Sequence, residues 1–332
     1  KMIIHCGKPN GETDDFIRAE LKRQNIPGLS LAIIKDGKII KAKGYGVANI
    51  ALKTPASEET VYKIASVSKQ FIASGIMLLV QEGRLRPDDP INMYLEGAPA
   101  SWEPITIRHL LTHTAGLVRE APGFDGLKVQ TDADVLQSAY SVPLRFAPGE
   151  KWEYSNTGYF ALAEIIHKVT GEPWPQYLDE KVFRPAGMSS TRPTNAGERL
   201  PNKALGYNDN DRLIMAPEWP ALRPSGAFLS TVLDLAKWDA VLYTNKVLTE
   251  VTRRQMWAPV TLNDGTSYPY GFGWFVDTFR NRRVVHHSGG MLGFRAQFAR
   301  FIDDGLSIVV VMNLDDVDID TIWRGLSRIY LP

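Results

Sequence analysis

The hydrophobic texture changes twice along this 332-residue chain, and that change constrains the fold more than any single motif. Near the start, Leu29–Ile34 and Lys38–Val47 are β-rich runs joined by Asp36-Gly37, a pair suited to a hairpin turn that needs positive φ. Near the end, Arg283–His287, Phe294–Phe301 and Leu306–Asn313 read as three strands, the last two joined through Asp303-Asp304-Gly305. A helix flanks each β-rich end. Asp14–Gln24 has Thr13 as candidate N-cap and two acids in its first turn, and Ile319, Ile322, Trp323, Leu326, Ile329 and Tyr330 fall on one helical face.

Between the ends the texture is helical. Val67–Leu79 is apolar nearly all round and stops at Gly83, while Leu162, Ile165, Ile166 and Val169 keep helical spacing before Gly171. The expected fold is therefore α/β plus all-α. One antiparallel sheet, flanked by the N- and C-terminal helices, takes strands from both ends of the chain, and a helical region is inserted between them. The expected boundaries are 1–62 with 268–332 for the α/β region and 63–267 for the helical one. A cleft between two such regions is the expected place for a site.

Composition excludes several classes of function. Lys+Arg (38) and Asp+Glu (37) nearly cancel, leaving a net charge of +1, whereas nucleic-acid binders usually carry a basic surplus. The single cysteine, Cys6, excludes an internal disulfide framework and any multi-cysteine metal site. The longest apolar runs, Ile72–Val80 and Leu306–Met312, fall well short of the ~20 residues that cross a bilayer, so no transmembrane segment is expected. The chain begins with Lys and shows no charged leader ahead of an apolar core, so a mature or trimmed form is expected.

There is no G-x-S-x-G elbow and no phosphate loop, and Gly44-Tyr45-Gly46 lacks the third glycine of a dinucleotide fingerprint. His109 and His113 have the i, i+4 spacing of helical metal ligands, but His-Leu-Leu-Thr-His lacks the glutamate of H-E-x-x-H. They read as imidazoles hydrogen-bonded at a helix end or loop. His286 and His287 are adjacent on a strand and so point to opposite faces. No metal is expected.

Ser66-Val67-Ser68-Lys69 carries more chemistry. At i and i+3 of a helix, Ser66 and Lys69 share a face while Ser68 turns away. A desolvated lysine amine beside a serine hydroxyl can be neutral and act as its base, and a helix N-terminus offers free N–H groups to a developing oxyanion. An exposed lysine beside a capping serine has the same spelling. Tyr154-Ser155-Asn156 precedes a helix, where a tyrosine hydroxyl can relay a proton and an asparagine amide can bind a carbonyl; core packing and helix capping are the alternative. His287-Ser288-Gly289-Gly290 ends a predicted strand with small residues that let a ligand approach the backbone, or else forms a plain Gly-Gly turn.

Taken in order, Ser-x-x-Lys, Tyr-x-Asn and His-x-Gly resemble the three motifs of the penicillin-recognising serine hydrolases. These include class C β-lactamases, D-alanyl-D-alanine carboxypeptidases, D-amino-acid peptidases and family VIII esterases. Ile64–Phe71, Ile107–Leu117, Pro148-Gly149-Glu150, Ser225–Leu235 and Tyr270–Trp274 carry the likeness across most of the chain. The resemblance implies the β-lactamase/DD-peptidase fold and a two-step acyl transfer without metal or organic cofactor. Ser66 is then the nucleophile, Lys69 and Tyr154 share the proton traffic, and the N–H groups of Ser66 and Gly290 form the oxyanion hole. Asn156, His287, Ser288 and Gly289 border the substrate.

The implied substrates are small esters or D-amino-acid amides. The alternatives are a penicillin-binding carboxypeptidase, a weak class C-like β-lactamase taking β-lactams, or a non-catalytic ligand sensor or scaffold. The implied setting is periplasmic or secreted. His287 stands where most class C enzymes carry Lys, and a histidine is only partly charged near pH 7, which argues against efficient β-lactam hydrolysis. Arg295 is a candidate fixed cation nearby, although a surface role is the simpler reading.

Overall fold

In the computed structural model, which describes residues 8–331 apart from 195–199, 210, 222 and 227, the two ends of the chain meet in one sheet. Cys6 lies outside the described residues. Helix α1 (Lys8–Gln24) leads into β1 (Gly28–Lys35), β2 (Lys38–Asn49) and the short β3 (Thr54–Pro55). The helices of the middle stretch include α2 (Lys69–Gln81), α3 (Ile107–Thr112), α4 (Asn156–Thr170), α5 (Val232–Val241) and α6 (Glu250–Met256). The chain then returns as β4 (Phe275–Phe279), β5 (Arg282–Met291), β6 (Phe294–Phe301), β7 (Leu306–Met312) and α7 (Ile319–Tyr330).

The seven-stranded sheet runs β4-β5-β6-β7-β1-β2-β3, and every pairing is antiparallel. The join between the two ends is the β1–β7 ladder, from Leu29 opposite Met312 to Lys35 opposite Leu306. The β1–β2 turn forms as expected, with φ of 50° at Asp36 and 74° at Gly37. Both faces of the central strands are covered, so their residues alternate between two cores. Leu29, Leu31 and Ile33 join Ile308, Val310, Ile322 and Trp323 under α1 and α7. Ala32, Ile34, Val309 and Val311 face the helical region instead.

Two local expectations are corrected. Helix α1 starts at Lys8 rather than Asp14, so Thr13 is no cap. Its hydroxyl donates to the Pro9 carbonyl one turn back (2.6 Å) and meets the Tyr330 hydroxyl (2.9 Å), tying α1 to α7. Ser288-Gly289-Gly290 is not a turn after a strand: β5 runs through to Met291, with Gly289 opposite Ala296 and Gly290 opposite Arg295. The partner strand β6 supplies a full ladder there, which overrides the weak strand preference of glycine.

Helix α2 is the central beam of the helical region, with Phe71, Ile72, Ala73, Ile76, Met77 and Leu79 all fully buried. It ends as expected with Gly83 at φ 69°. The chain enters it through Tyr62–Lys63, one strand of a small sheet with Phe228–Ser230 and Arg192–Pro193, and Ile64 donates to the Phe228 carbonyl (2.9 Å). The residues just before α2 are thus held from two sides, by this small sheet and by β5.

Candidate active site

Ser66 sits in a single 3-10 turn (Ala65–Ser68) that runs into α2. Ala65, just before it, has φ 46°, a conformation that costs an alanine roughly 1–3 kcal/mol and persists only where the surroundings enforce it. Those surroundings are β5. A Cβ on Gly289 would lie 2.3 Å from the Ile64 carbonyl oxygen and 3.0 Å from the Ser66 nitrogen, so only glycine lets the strand seat against this turn. Ser66 is half-buried, whereas Ala65, Val67 and Ser68 are buried around it. Ser68 does turn away, and its hydroxyl accepts from the Phe228 amide (3.3 Å).

Lys69 lies one turn on from Ser66 and is fully buried. Its Nζ is 2.6 Å from the Ser225 carbonyl, 2.8 Å from Asn156 Oδ1 and 3.1 Å from Ser66 Oγ. The first two partners can only accept, so they take two amine hydrogens, and a neutral amine would aim its lone pair at the serine hydroxyl. Electrostatics favour that neutral form. Burial pushes the Lys69 amine well below its ordinary range, and the Arg223 and Arg119 guanidiniums push it further, against the pull of Glu120. No carboxylate pairs with Lys69 among the described residues. Glu120, the nearby acid, is occupied by Arg223 and by the Asn156 side-chain amide.

Tyr154 closes the other side of Ser66. The Lys69 Nζ is 4.6 Å from its ring centre and the Arg119 guanidinium 5.0 Å. Burial raises its hydroxyl above the ordinary range, and interaction with Ser66 draws it back. Asn156 is the first residue of α4. Ser155 caps that helix, its hydroxyl accepting from the Gly158 amide (3.2 Å). A helix start therefore presents Tyr154 and Asn156 to α2 together.

Behind these residues runs a hydrogen-bonded chain whose directions are fixed at both ends. The Ser155 amide donates to His113 Nδ1 (3.1 Å), so the ring proton of His113 sits on Nε2 and goes to Tyr270 Oη (3.1 Å). Tyr270 then donates to His287 Nε2 (2.9 Å), and His287 Nδ1 donates to the Ser288 carbonyl (2.6 Å). Both imidazoles are neutral in this arrangement. Burial first, and then the Lys69 amine whenever it is protonated, holds His113 well below the ordinary histidine range and pushes His287 down to about 3. His287 is thus an uncharged structural partner here, rather than the partly charged group expected at neutral pH.

His109 and His286 take other places, the first because its helix ends at His113 in a left-handed conformation and the second because adjacent strand residues face opposite ways. His109 closes a capping box with Thr106, its Nδ1 accepting from the Thr106 amide (3.0 Å). His286 points to the opposite face of β5, against Phe275 and Trp323. Among the described residues no three His, Cys, Asp or Glu side chains are grouped to hold a metal ion, and no helix is long and apolar enough to cross a membrane.

The cavity over Ser66 holds about 350 Å³ and is lined by Arg119, Trp152, Tyr154, Phe275 and Arg295 along with His287, Ser288 and Gly290. Arg295 lies across Gly290, so closely that a Cβ there would meet its guanidinium. Neither Arg119 nor Arg295 has a carboxylate partner among the described residues. The structure therefore brings together Ser66, Lys69, Tyr154, Asn156, His287, Ser288, Gly289 and Gly290. Sequence reading missed Arg119, Glu120, Arg223 and His113 as parts of this site. His113 and Tyr270 did fall in segments marked by the family resemblance.

A family description, Beta-lactamase, matches residues 13–326. Penicillin-binding protein 4* of Bacillus subtilis (strain 168) is 32% identical over 302 residues, covering 84% of this chain and 66% of that protein. Protein flp of Staphylococcus aureus (strain MW2) is 29% identical over 317 residues, covering 92% of this chain and 63% of that protein. The chain thus spans just under two thirds of these relatives. Among solved structures, the octameric penicillin-binding protein homologue from Pyrococcus abyssi superposes with a TM-score of 0.85 at 30% identity, covering 96% of this chain and 77% of that one.

Proposed function

The chain belongs to the Beta-lactamase family, and from that premise we propose that it is a serine hydrolase acting through a Ser66 acyl-enzyme on small esters or D-amino-acid amides. The observation that carries this reading is the buried Lys69 amine, held by two obligate acceptors with its third direction on Ser66 Oγ. As Ser66 Oγ attacks the carbonyl carbon, its proton passes to Lys69 or Tyr154, and the oxyanion meets the N–H groups of Ser66 and Gly290. The same proton then goes to the leaving alcohol or amine. Water attacks the ester in the second step, giving its proton back through the same pair, and Ser66 is regenerated. Asn156 fixes the Lys69 amine and keeps a second amide hydrogen for the acyl group. His287 supports the wall of the cavity as a neutral group. We read the chain as two regions, 1–62 with 268–332 and 63–267, that meet at Ser66.

A second reading is favoured by the two unpaired guanidiniums, Arg119 and Arg295, in the Ser66 cavity. They supply the fixed positive charge that His287 does not, and suit a substrate with a carboxylate, such as a D-alanyl peptide or a penicillin. Intact mass spectrometry separates the readings. Incubation with a fluorophosphonate is expected to add one label, mapped to Ser66. A further stable adduct with a penicillin supports the second reading, and its absence supports the first. A folded protein that takes no label at Ser66 rejects both.

A further inference from the structure

We propose that the chain has a second ligand site, an anion-binding recess for a phosphate or pyrophosphate group, at the end of β5 remote from Ser66. Arg283 and His287 lie on the same face of β5, four residues and so roughly 13 Å apart along the strand. Around Arg283, the end of α5, α6 and strands β5 and β6 enclose a recess of about 690 Å³. Its polar lining is dominated by arginines: Arg253 and Arg300 at the base, with Arg254 and Arg283 at the rim.

The base is a built arrangement. Arg300 is 3% exposed and lies over the Tyr243 and Trp257 rings at 4.7 and 5.5 Å. One end of its guanidinium, Nη1, is tied to Asp239, whose carboxylate also accepts from Ser307 (2.5 Å). Its Nε is buried without a hydrogen-bond partner among the described residues. Arg253 is 8% exposed and is bonded through Nη1 to the carbonyls of Thr244 and Leu248, with no carboxylate on it among the described residues. Burial holds its pKa below the ordinary range; the Glu250 charge draws it back up and the Arg300 charge adds to the lowering. The rim cations are paired, Arg254 with Glu250 and Arg283 with Asp303, each at 2.5 Å.

Four arginines gathered around one recess, two of them buried at its base with only Arg300 hydrogen-bonded to a carboxylate, repel one another, and an anion held in the recess would offset that cost. Several guanidiniums around an open volume match the spread oxygens of a phosphate better than the single flat fork that a carboxylate needs. The remaining volume accommodates an organic group attached to the phosphate.

Isothermal titration calorimetry on the whole chain, at fixed ionic strength, tests this with pyrophosphate, inorganic phosphate and citrate as probes. The expected result is saturable one-to-one binding of pyrophosphate, tighter than that of phosphate or citrate. Arg254→Gln with Arg283→Gln, both at exposed positions, is expected to weaken it by about 10-fold or more. Arg119→Ala with Arg295→Ala, which removes the cations of the Ser66 cavity, is expected to leave it within about twofold, because the two sites share no residues. The proposal is overturned by heat that does not saturate up to about 10 mM pyrophosphate, well above the millimolar Kd of a weak ion site. Tighter binding of citrate, indifference to the rim variants, or loss of binding in the Arg119/Arg295 variant overturns it as well.

Discussion

Lys63 and Lys69 stand six residues apart, on either side of the Ser66 turn, and both are buried, at 2% and 0% exposed. Burial pushes both amines below their ordinary range. Their surroundings differ in one respect. Lys63 reaches out of the small sheet to the Glu218 carboxylate (2.9 Å) and the Trp219 carbonyl (3.1 Å), so its charge is answered. Among the described residues Lys69 hydrogen-bonds only to neutral groups, and the nearby Glu120 carboxylate turns one oxygen to Arg223 and Asn156 instead. Desolvation alone therefore does not decide whether an amine keeps its proton. It favours the neutral form most where the fold also withholds the counter-ion, and on the same wall it keeps His113 and His287 neutral.

Substitutions can break this contrast. The largest effect is expected at the Lys69 end: Ser66→Ala or Lys69→Arg should lower turnover of an activated ester by roughly 10³-fold or more, since the first removes the nucleophile and the second substitutes a permanent cation. Steady-state kinetics, together with loss of phosphonate labelling in Ser66→Ala, checks this. Next comes Asn156→Asp, which makes the Lys69 environment resemble that of Lys63. A carboxylate at 2.8 Å stabilises the ammonium, so kcat should fall about 10²-fold, and the acid limb of the pH–rate profile should move to higher pH. An unmoved limb would show that Lys69 is not the group whose deprotonation matters.

A smaller effect is expected from the neutral histidines. His287 is held at about 3, below the ordinary 6.5, so between those values the unfolded chain binds the extra proton. Its contribution to stability is complete above pH 6.5 and is lost as the pH falls toward 3. The decline in Tm between pH 7 and pH 4 should be shallower in His287→Gln than in the parent, as scanning calorimetry would record. The smallest effect belongs to Lys63→Met. Glu218 is half exposed and also bonded to Lys203, so it is not stranded; stability should change by about 1 kcal/mol, and kcat by less than about threefold. A hundredfold loss of kcat in that variant would erase the distinction between the two lysines.

Local patterns made much of this legible. The Asp36-Gly37 hairpin, the glycine stops of α2 and α4 and the apolar face of α7 each depend on residues close in sequence, and each forms where the spacing puts it. Ser66 and Lys69 are also a local pair, one turn apart. What was not legible depends on contacts between distant segments. Nothing near Glu120 announces Arg223, and nothing in His287-Ser288-Gly289-Gly290 says that β6 will hold it as strand. The start of α1 was missed because Pro9 and Gly11 are poor helix formers, while the docking of Thr13 on Tyr330 lies more than 300 residues away in the chain. Protonation is the least local property of all: the tautomer of His287 is set through Tyr270 and His113 by the amide of Ser155.

The β1–β7 ladder has a consequence for how the molecule comes into being. On the ribosome the β1–β2 hairpin emerges early, with the inner edge of β1 unpaired until residues 306–312 have been made. The Ser66 turn waits with it, because Gly289, which holds Ala65 in its strained conformation, also comes late in the chain. The residues of β5 must therefore be made before the Ser66 turn can take this shape. A chain cut short before β5 is thus expected to leave the β1 edge open and the Ser66 turn unformed, and an open edge of that kind invites association.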